Sequence, residues 1–334
     1  MNSPEKIQQL PPPPGVIGAL KAGLDIISSH LAVVLLPLAL DILLWLGPRL
    51  SVQSIFLQSY ADTMKFYTDY GLLNSAQLDQ MKTGQQVLSD FLQKFNLLSF
   101  LRTFPVGISS LMQSKMPVTT PLGAPKVYEV GSWFALFGWL CLLIVMGWIA
   151  GGFYFSRVSA LIGDPEVSKK SLNAILQTLL FSIGFTILAF VIGLPTLLVL
   201  SLLNWINVYI MQAAFFLLAI LGSWVVVPIF FAPHGIFLRG QNVFHSIHTS
   251  FRMARFTLPS ASMFVLAIFL VSQGLNFLWS VPADDSWMLL VGVAGHAFVT
   301  TALLAASFIY YRDMNAWLEI VIERLRPGTA APHM

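Results

Sequence analysis

The chain is poor in charge. Only 10% of its 334 residues are Asp, Glu, Lys or Arg, against 56% hydrophobic, too little polar surface to cover a water-soluble globule of this size. The net charge of +3 is scattered between apolar runs, which excludes nucleic acid as a partner. Cysteine is nearly absent as well. A lone Cys141 inside an apolar run excludes an intrachain disulfide and a Cys-based metal cluster, and reads as a small core residue. No HExxH, GxSxG, Walker loop or GxGxxG occurs, so no common catalytic site is written in the chain. The sequence gives no reason to expect an enzyme or a cofactor.

What the chain has is membrane-length apolar runs. At about 20 residues per crossing, spans are expected near 29–48, 132–156, 176–200, 207–232, 260–281 and 287–310. Residues 1–15 hold Glu5, Lys6 and the run Pro11 to Pro14, an extended arm rather than a cleaved signal. The first span therefore reads as a retained anchor. Before three of the spans lie amphipathic stripes at helical spacing: Ile17, Leu20, Leu24, Ile27; then Leu172, Ile175, Leu176, Leu179; then Phe244, Ile247, Phe251, Ala254, Leu258. They are expected to be interfacial helices.

The basic residues orient this arrangement. With a cytoplasmic N terminus, 11 of the 18 Lys and Arg fall on inside segments, among them Lys169, Lys170, Arg252, Arg255 and Arg312. The other seven lie between Arg49 and Lys126, in a loop long enough to escape the orientation rule. Trp45, Trp133, Trp205, Trp279 and Trp287 are expected at the outer ends of spans; Trp139, Trp148 and Trp224 are read as packing residues.

The expected fold is an all-α, polytopic bundle of six transmembrane helices with three interfacial helices and a helical extracytoplasmic cap. Its expected parts are an arm (1–15), an interfacial helix with the first span (16–48), the cap (49–131), a five-span bundle (132–312) and a cytoplasmic amphipathic tail (313–334). Within the cap, Asn74 followed by Gln77 signals a helix start. The stripes Val52, Ile55, Phe56, Tyr60, Met64, Tyr67 and Val87, Leu88, Phe91, Leu92, Phe95, Leu98 predict two helices, and 117–125 (PVTTPLGAP) a linker.

Polar groups inside spans mark function or internal hydrogen bonds, because lipid offers them no partner. Asp41 lies seven residues before Pro48, and His296 nine after Trp287. At 1.5 Å per residue both sit about 10 to 13 Å below the outer surface, so a pair is permitted. Gln273 and Asn276 have similar depth. The four form the candidate intramembrane polar cluster, a relay or a set of structural hydrogen bonds, with Asp41 snorkelling toward Arg49 as a further alternative. Arg252, Arg255, Lys169 and Lys170 are the candidate lipid-headgroup contacts. His245 and His248 form an HxxH pair read as headgroup-facing, and bis-histidine haem ligation would need His30, His234 or His296 at matched depths in facing helices. Gly147 and Gly151 make a GxxxG face, and Pro37, Pro195 and Pro228 predict kinks.

One unit carries a resemblance. Pro233, Gly240, Ser246, Ser250, Phe251 and Arg252, followed by Arg255, reproduce a helix end, a Gly-bearing turn and an amphipathic helix leading into a span. This resembles the repeated unit of bacterial six-span proteins grouped with the glycerophosphoryl diester phosphodiesterase membrane domain. The resemblance implies a six-span fold and a bacterial plasma membrane; the distribution of basic residues is what puts both termini in the cytoplasm. It carries over no catalytic residue, since phosphodiesterase chemistry belongs to a soluble barrel for which the chain has no room. Two roles stand at this point: a scaffold or accessory subunit binding membrane lipids, another membrane protein or a second copy of itself, and a transporter or lipid-handling permease with a polar path at Asp41 and His296. Sparse intramembrane charge favours the scaffold.

Overall fold

The structure is a computed structural model and describes residues 12–164, 167 and 171–325. Most of the N-terminal arm, Lys169, Lys170 and the last nine residues of the tail lie outside the described residues. The described residues are all-α apart from two three-residue strands. Among them, five helices are long and apolar enough to cross a membrane, or six if a first, bent pair makes one span.

That pair is α1 (Val16–Ser29) and α2 (Leu35–Leu46), with a 3₁₀ turn at Leu31–Val34 between them in the chain. Pro37 sits in the first turn of α2, where its missing N–H leaves no hydrogen bond broken. The cap follows as β1 (Arg49–Ser51), α3 (Gln53–Asp69), α4 (Ser75–Lys94), a 3₁₀ turn at Leu97–Leu101, the one-turn α5 (Met112–Lys115) and β2 (Val127–Glu129). The remaining helices are α6 (Trp133–Ser159), α7 (Ser171–Ile206), α8 (Val208–Arg239), α9 (Val243–Trp279) and α10 (Leu289–Leu325).

The chain divides into two compact units. One holds the described residues within 1–30, 155–271 and 302–334; the other holds 31–154 and 272–301.

In the first unit, α1 seats a stripe of Ala19, Gly23 and Ile27. A Cβ on Gly23 would lie 2.5 Å from the Ala302 carbonyl oxygen and 2.7 Å from the Ala306 nitrogen, so only glycine permits this approach. The stripe Ile17 and Leu24 consequently points outward, with Ile17 82% exposed. The opening turns of α9 behave alike: Ser246, Thr249, Ser250 and Thr257 are buried, while Phe244 and Phe251 are exposed. Pro259 cannot donate to the Arg255 carbonyl and its ring crowds it, so the helix breaks at Thr257 (φ −126°, ψ 16°) and separates an interfacial-length piece from the span.

The second stripe differs from expectation. Leu172, Ile175, Leu176 and Leu179 are the first turns of an unbroken α7, because no proline interrupts the helix before Pro195. Likewise the expected cytoplasmic tail begins as the last turns of α10, which runs without a break. The hairpin of α7 and α8 packs on itself and exposes apolar side chains outward, including Trp224, which is not a packing residue. Trp139 is also exposed, and Trp148 alone of the three is buried. The core of this unit is aromatic: Phe264 stacks on Tyr310 with centroids 4.0 Å apart and planes 6° apart, beside Phe231 and Tyr311.

In the second unit, Asn74 caps α4 through a reciprocal pair with Gln77 (both 2.9 Å). The helices α3 and α4 pack on each other. In the second of them Gly84 leaves room for Tyr60, whose hydroxyl donates to the Met81 carbonyl at 2.8 Å. The two strands pair in parallel, Arg49 to Val127 through Ser51 to Glu129, and close the cap at its base. Beneath them Leu50, Val52, Ile55, Leu92, Leu97, Val130 and Leu136 form a core. Nothing in the residue pattern foretold these strands, which are too short for a period of two to show.

Candidate polar clamp

The candidate site lies in the second unit, where residues 101–116 fold back along two helices. Gly147 and Gly151, expected as a helix–helix face, receive this non-helical segment instead. A Cβ on Gly147 would lie 2.5 Å from Thr103 Cγ2 and 2.6 Å from the Leu101 carbonyl oxygen; one on Gly151 would lie 2.6 Å from Gly107 Cα. Two small residues one turn apart let any backbone approach closely. The Trp148 indole donates to the Phe104 carbonyl at 3.3 Å, and Thr103 Oγ1 to the Val106 carbonyl at 2.7 Å. Val106, Ile108 and Leu111 fill the space between. Irregular backbone beside apolar helices persists only when protein covers it, and here protein does.

The segment ends on Asp41, which is fully buried. Its carboxylate accepts from Ser110 Oγ at 2.5 Å, from the Leu111 N–H at 3.1 Å and from the Met112 N–H at 3.1 Å. Asp41 thus satisfies the free donors at the start of α5. Ser110 Oγ in turn accepts from the Gln113 N–H at 3.2 Å, and Gln113 Oε1 accepts from Arg102. Three donors on one carboxylate, none from solvent, make a pin.

The other end of α5 is pinned too. Lys115 Nζ donates to the Ser280 carbonyl at 2.9 Å and the Pro282 carbonyl at 2.8 Å, and pairs with Asp284 Oδ1 at 2.8 Å. These groups belong to the turn between α9 and α10, so the cation sits just past the C-terminal end of α9, where the helix dipole favours it. Trp45 Nε1 donates to the Asp284 carbonyl at 2.8 Å, and its ring meets Trp287 edge-on at 6.0 Å. Chain segments 41–45, 110–115 and 280–284 thereby close a ring of polar contacts.

His296 joins the ring loosely. Its Nδ1 approaches Asp41 Oδ2 at 3.3 Å without hydrogen-bond alignment. The expected proximity of Asp41 and His296 is present, yet the stronger partners are Ser110, Leu111 and Met112. Gln273 and Asn276 do not join: Gln273 is exposed, Asn276 is half-buried, and neither bonds to Asp41 or His296. Asp41 also does not snorkel to Arg49. The Arg49 guanidinium is buried and donates to the Gln93 carbonyl at 2.6 Å and the Phe95 carbonyl at 3.4 Å, and burial holds its pKa below the ordinary arginine value.

The other candidates lie apart. Arg252 and Arg255 are exposed on α9; Lys169 and Lys170 fall outside the described residues. His245 and His248 are exposed, His30 Nδ1 lies 3.0 Å from the Ile26 carbonyl, and His234 Nε2 lies 2.7 Å from Ser307 Oγ. His30 is exposed, and the buried His234 has its neighbour within the chain.

The clamp residues that the sequence reading missed are Ser110 and Lys115. A signal for the first existed: Ser110 and Gln113 have the spacing of a helix start, as Asn74 and Gln77 do. Lys115 carried none, because a lysine in a long loop reads as solvated. No family model, curated protein or solved structure matches the chain.

Proposed function

We propose that this chain is a non-enzymatic membrane scaffold or accessory subunit of a bacterial plasma membrane, with both termini cytoplasmic. The observation that carries the reading is the commitment of Asp41 to three donors of its own chain. A relay carboxylate must exchange partners; one that holds a serine hydroxyl and two backbone N–H groups holds structure. The cap, fastened to the bundle at Asp41 and Lys115, is then the surface offered to a partner protein, and the outward apolar stripes of α1 and α9 are its lipid contacts. The Pro233-to-Arg252 unit supports kinship with the six-span membrane-domain group: Gly240 ends α8 in the left-handed region (φ 62°), and Ser246 donates back to the Ala232 carbonyl.

Flux through vesicles tests it. Purified protein reconstituted with an entrapped pH dye should dissipate an imposed proton gradient no faster than empty vesicles. An Asp41-dependent leak would replace the scaffold with the relay. Orientation is tested by thiol labelling in a Cys141→Ser background: Asp285→Cys should label from outside and Asn242→Cys from inside.

A further inference from the structure

The first turns of α9, residues 243–256, are held in one rotation by buried polar contacts inside the first unit. The Val243 N–H donates to Gln177 Oε1 at 3.1 Å, Ser246 Oγ to the Ala232 carbonyl, and Asn315 Nδ2 to Met253 Sδ at 3.3 Å. A Cβ on Gly235 would collide with Ser246 Oγ and Gln241 Oε1, so a glycine in α8 lets the helix seat this closely. With that face turned inward, the opposite face is fixed as well. His245, His248, Arg252 and Arg255 follow one another at intervals of 3, 4 and 3 residues, which puts them on a single exposed stripe about 15 Å long. Phe244 and Phe251 flank the stripe on one side and Phe256 on the other, all exposed. The Arg255 guanidinium lies over the Phe256 ring, 5.9 Å from its centroid.

No Asp or Glu occurs from Val167 to Ala283, and among the described residues none of the four stripe residues enters an ion pair. Arg252 and Arg255, one turn apart, repel each other, and an external anion removes that cost. The flanking aromatics and the break at Thr257, where the helix turns into a span, put the stripe at headgroup level, so the anion it meets is a lipid phosphodiester. Guanidinium forks and imidazole N–H groups both donate to phosphate oxygens. The stripe divides into two groups, His245 with His248 and Arg252 with Arg255, whose midpoints are seven residues, about 10 Å, apart along the axis. One phosphodiester reaches one group. Two phosphodiesters in one molecule reach both, and the second contact then forms at the high effective concentration of a tethered ligand. We infer that this face binds an acidic phospholipid carrying two phosphodiesters, one on each group. The inference deepens the lipid-contact part of the proposed function and rests on it for the inner-leaflet placement of these turns.

Native mass spectrometry of the full chain in detergent tests the assignment, with tetraoleoyl cardiolipin, dioleoyl phosphatidylglycerol at twice its molarity so that phosphate is matched, and dioleoyl phosphatidylcholine. Cardiolipin should be retained about tenfold over phosphatidylglycerol. Arg252→Ala with Arg255→Ala should bring both acidic lipids down toward the choline lipid, whereas His245→Ala with His248→Ala should bring cardiolipin only to the level of phosphatidylglycerol. Lys82→Gln with Lys94→Gln, in the cap, should change neither. Equal retention of cardiolipin and phosphatidylglycerol by the unaltered protein overturns the inference without any variant having to fold. A cardiolipin preference that survives both alanine pairs overturns its placement on this face, and equal protection from melting by inorganic pyrophosphate, two linked phosphates without acyl chains, overturns the lipid as the ligand. Labelling of Asn242→Cys from outside would instead remove the inner-leaflet placement, and with it the proposed orientation, while leaving the lipid preference intact.

Discussion

Replacing Asp41 by alanine removes an acceptor from three buried donors at once. Each hydrogen bond to a charged group is worth about 1.5 to 3 kcal/mol, and each donor left unmet in a buried place costs about 1 to 3 kcal/mol. These penalties overlap because Ser110 Oγ rotates and the α5 turn relaxes, so the expected loss is about 3 to 5 kcal/mol, the range for breaking a buried charged contact. Asp41→Asn keeps one acceptor oxygen and turns an amide donor toward the N–H groups, and should cost about 2 kcal/mol. The distances order the partners: Ser110 Oγ at 2.5 Å is aligned, and His296 Nδ1 at 3.3 Å is not. A double-mutant cycle, read as melting by tryptophan fluorescence in detergent, should therefore give Asp41→Asn with Ser110→Ala a coupling of about 1 to 2 kcal/mol, and Asp41→Asn with His296→Ala a smaller one, under about 1 kcal/mol. Strict additivity with Ser110, or a larger coupling with His296, would refute the pin and restore the pair as the unit that matters.

Other consequences can be measured separately. Lys115→Met leaves the Ser280 and Pro282 carbonyls without their donor and should lower the melting point, with Asp284→Asn adding little more, since the two act on one contact. Gly151→Val places side-chain carbon where Gly107 lies and should reduce folded yield sharply, while Gly138→Val, whose Cβ meets nothing within 4 Å, should leave it unchanged. Arg49→Ala strips two carbonyls at the end of α4 of their donor, so limited proteolysis should cut near 93–97 in the variant at protease levels that spare the unaltered chain.

What could be read in the sequence was whatever repeats at a helical period over many residues. The long apolar helices, the capped start at Asn74 and the nearness of Asp41 to His296 followed from run length, cap chemistry and 1.5 Å per residue. Helix continuity was not legible: the stripes at Leu172 and Phe244 look alike, and only Pro259 acting at Thr257 separates a broken helix from a straight one. The clamp was hidden for a different reason. Asp41 and Ser110 are 69 residues apart, joined by an irregular segment with no period, and the glycines that admit it carry the pattern of a helix–helix face. A small-residue stripe announces that something approaches closely, but not whether it is a helix or a loop.

Amide hydrogen exchange over residues 106–116 tests the clamp most directly. In the unaltered protein the Leu111 and Met112 amides, bonded to a buried carboxylate, should exchange slowly, and Asp41→Asn should speed them by about 30-fold if about 2 kcal/mol is lost locally, with α4 in the same unit unchanged. Exchange at those amides as fast as in an exposed loop, or slow exchange that Asp41→Asn leaves untouched, would contradict the account.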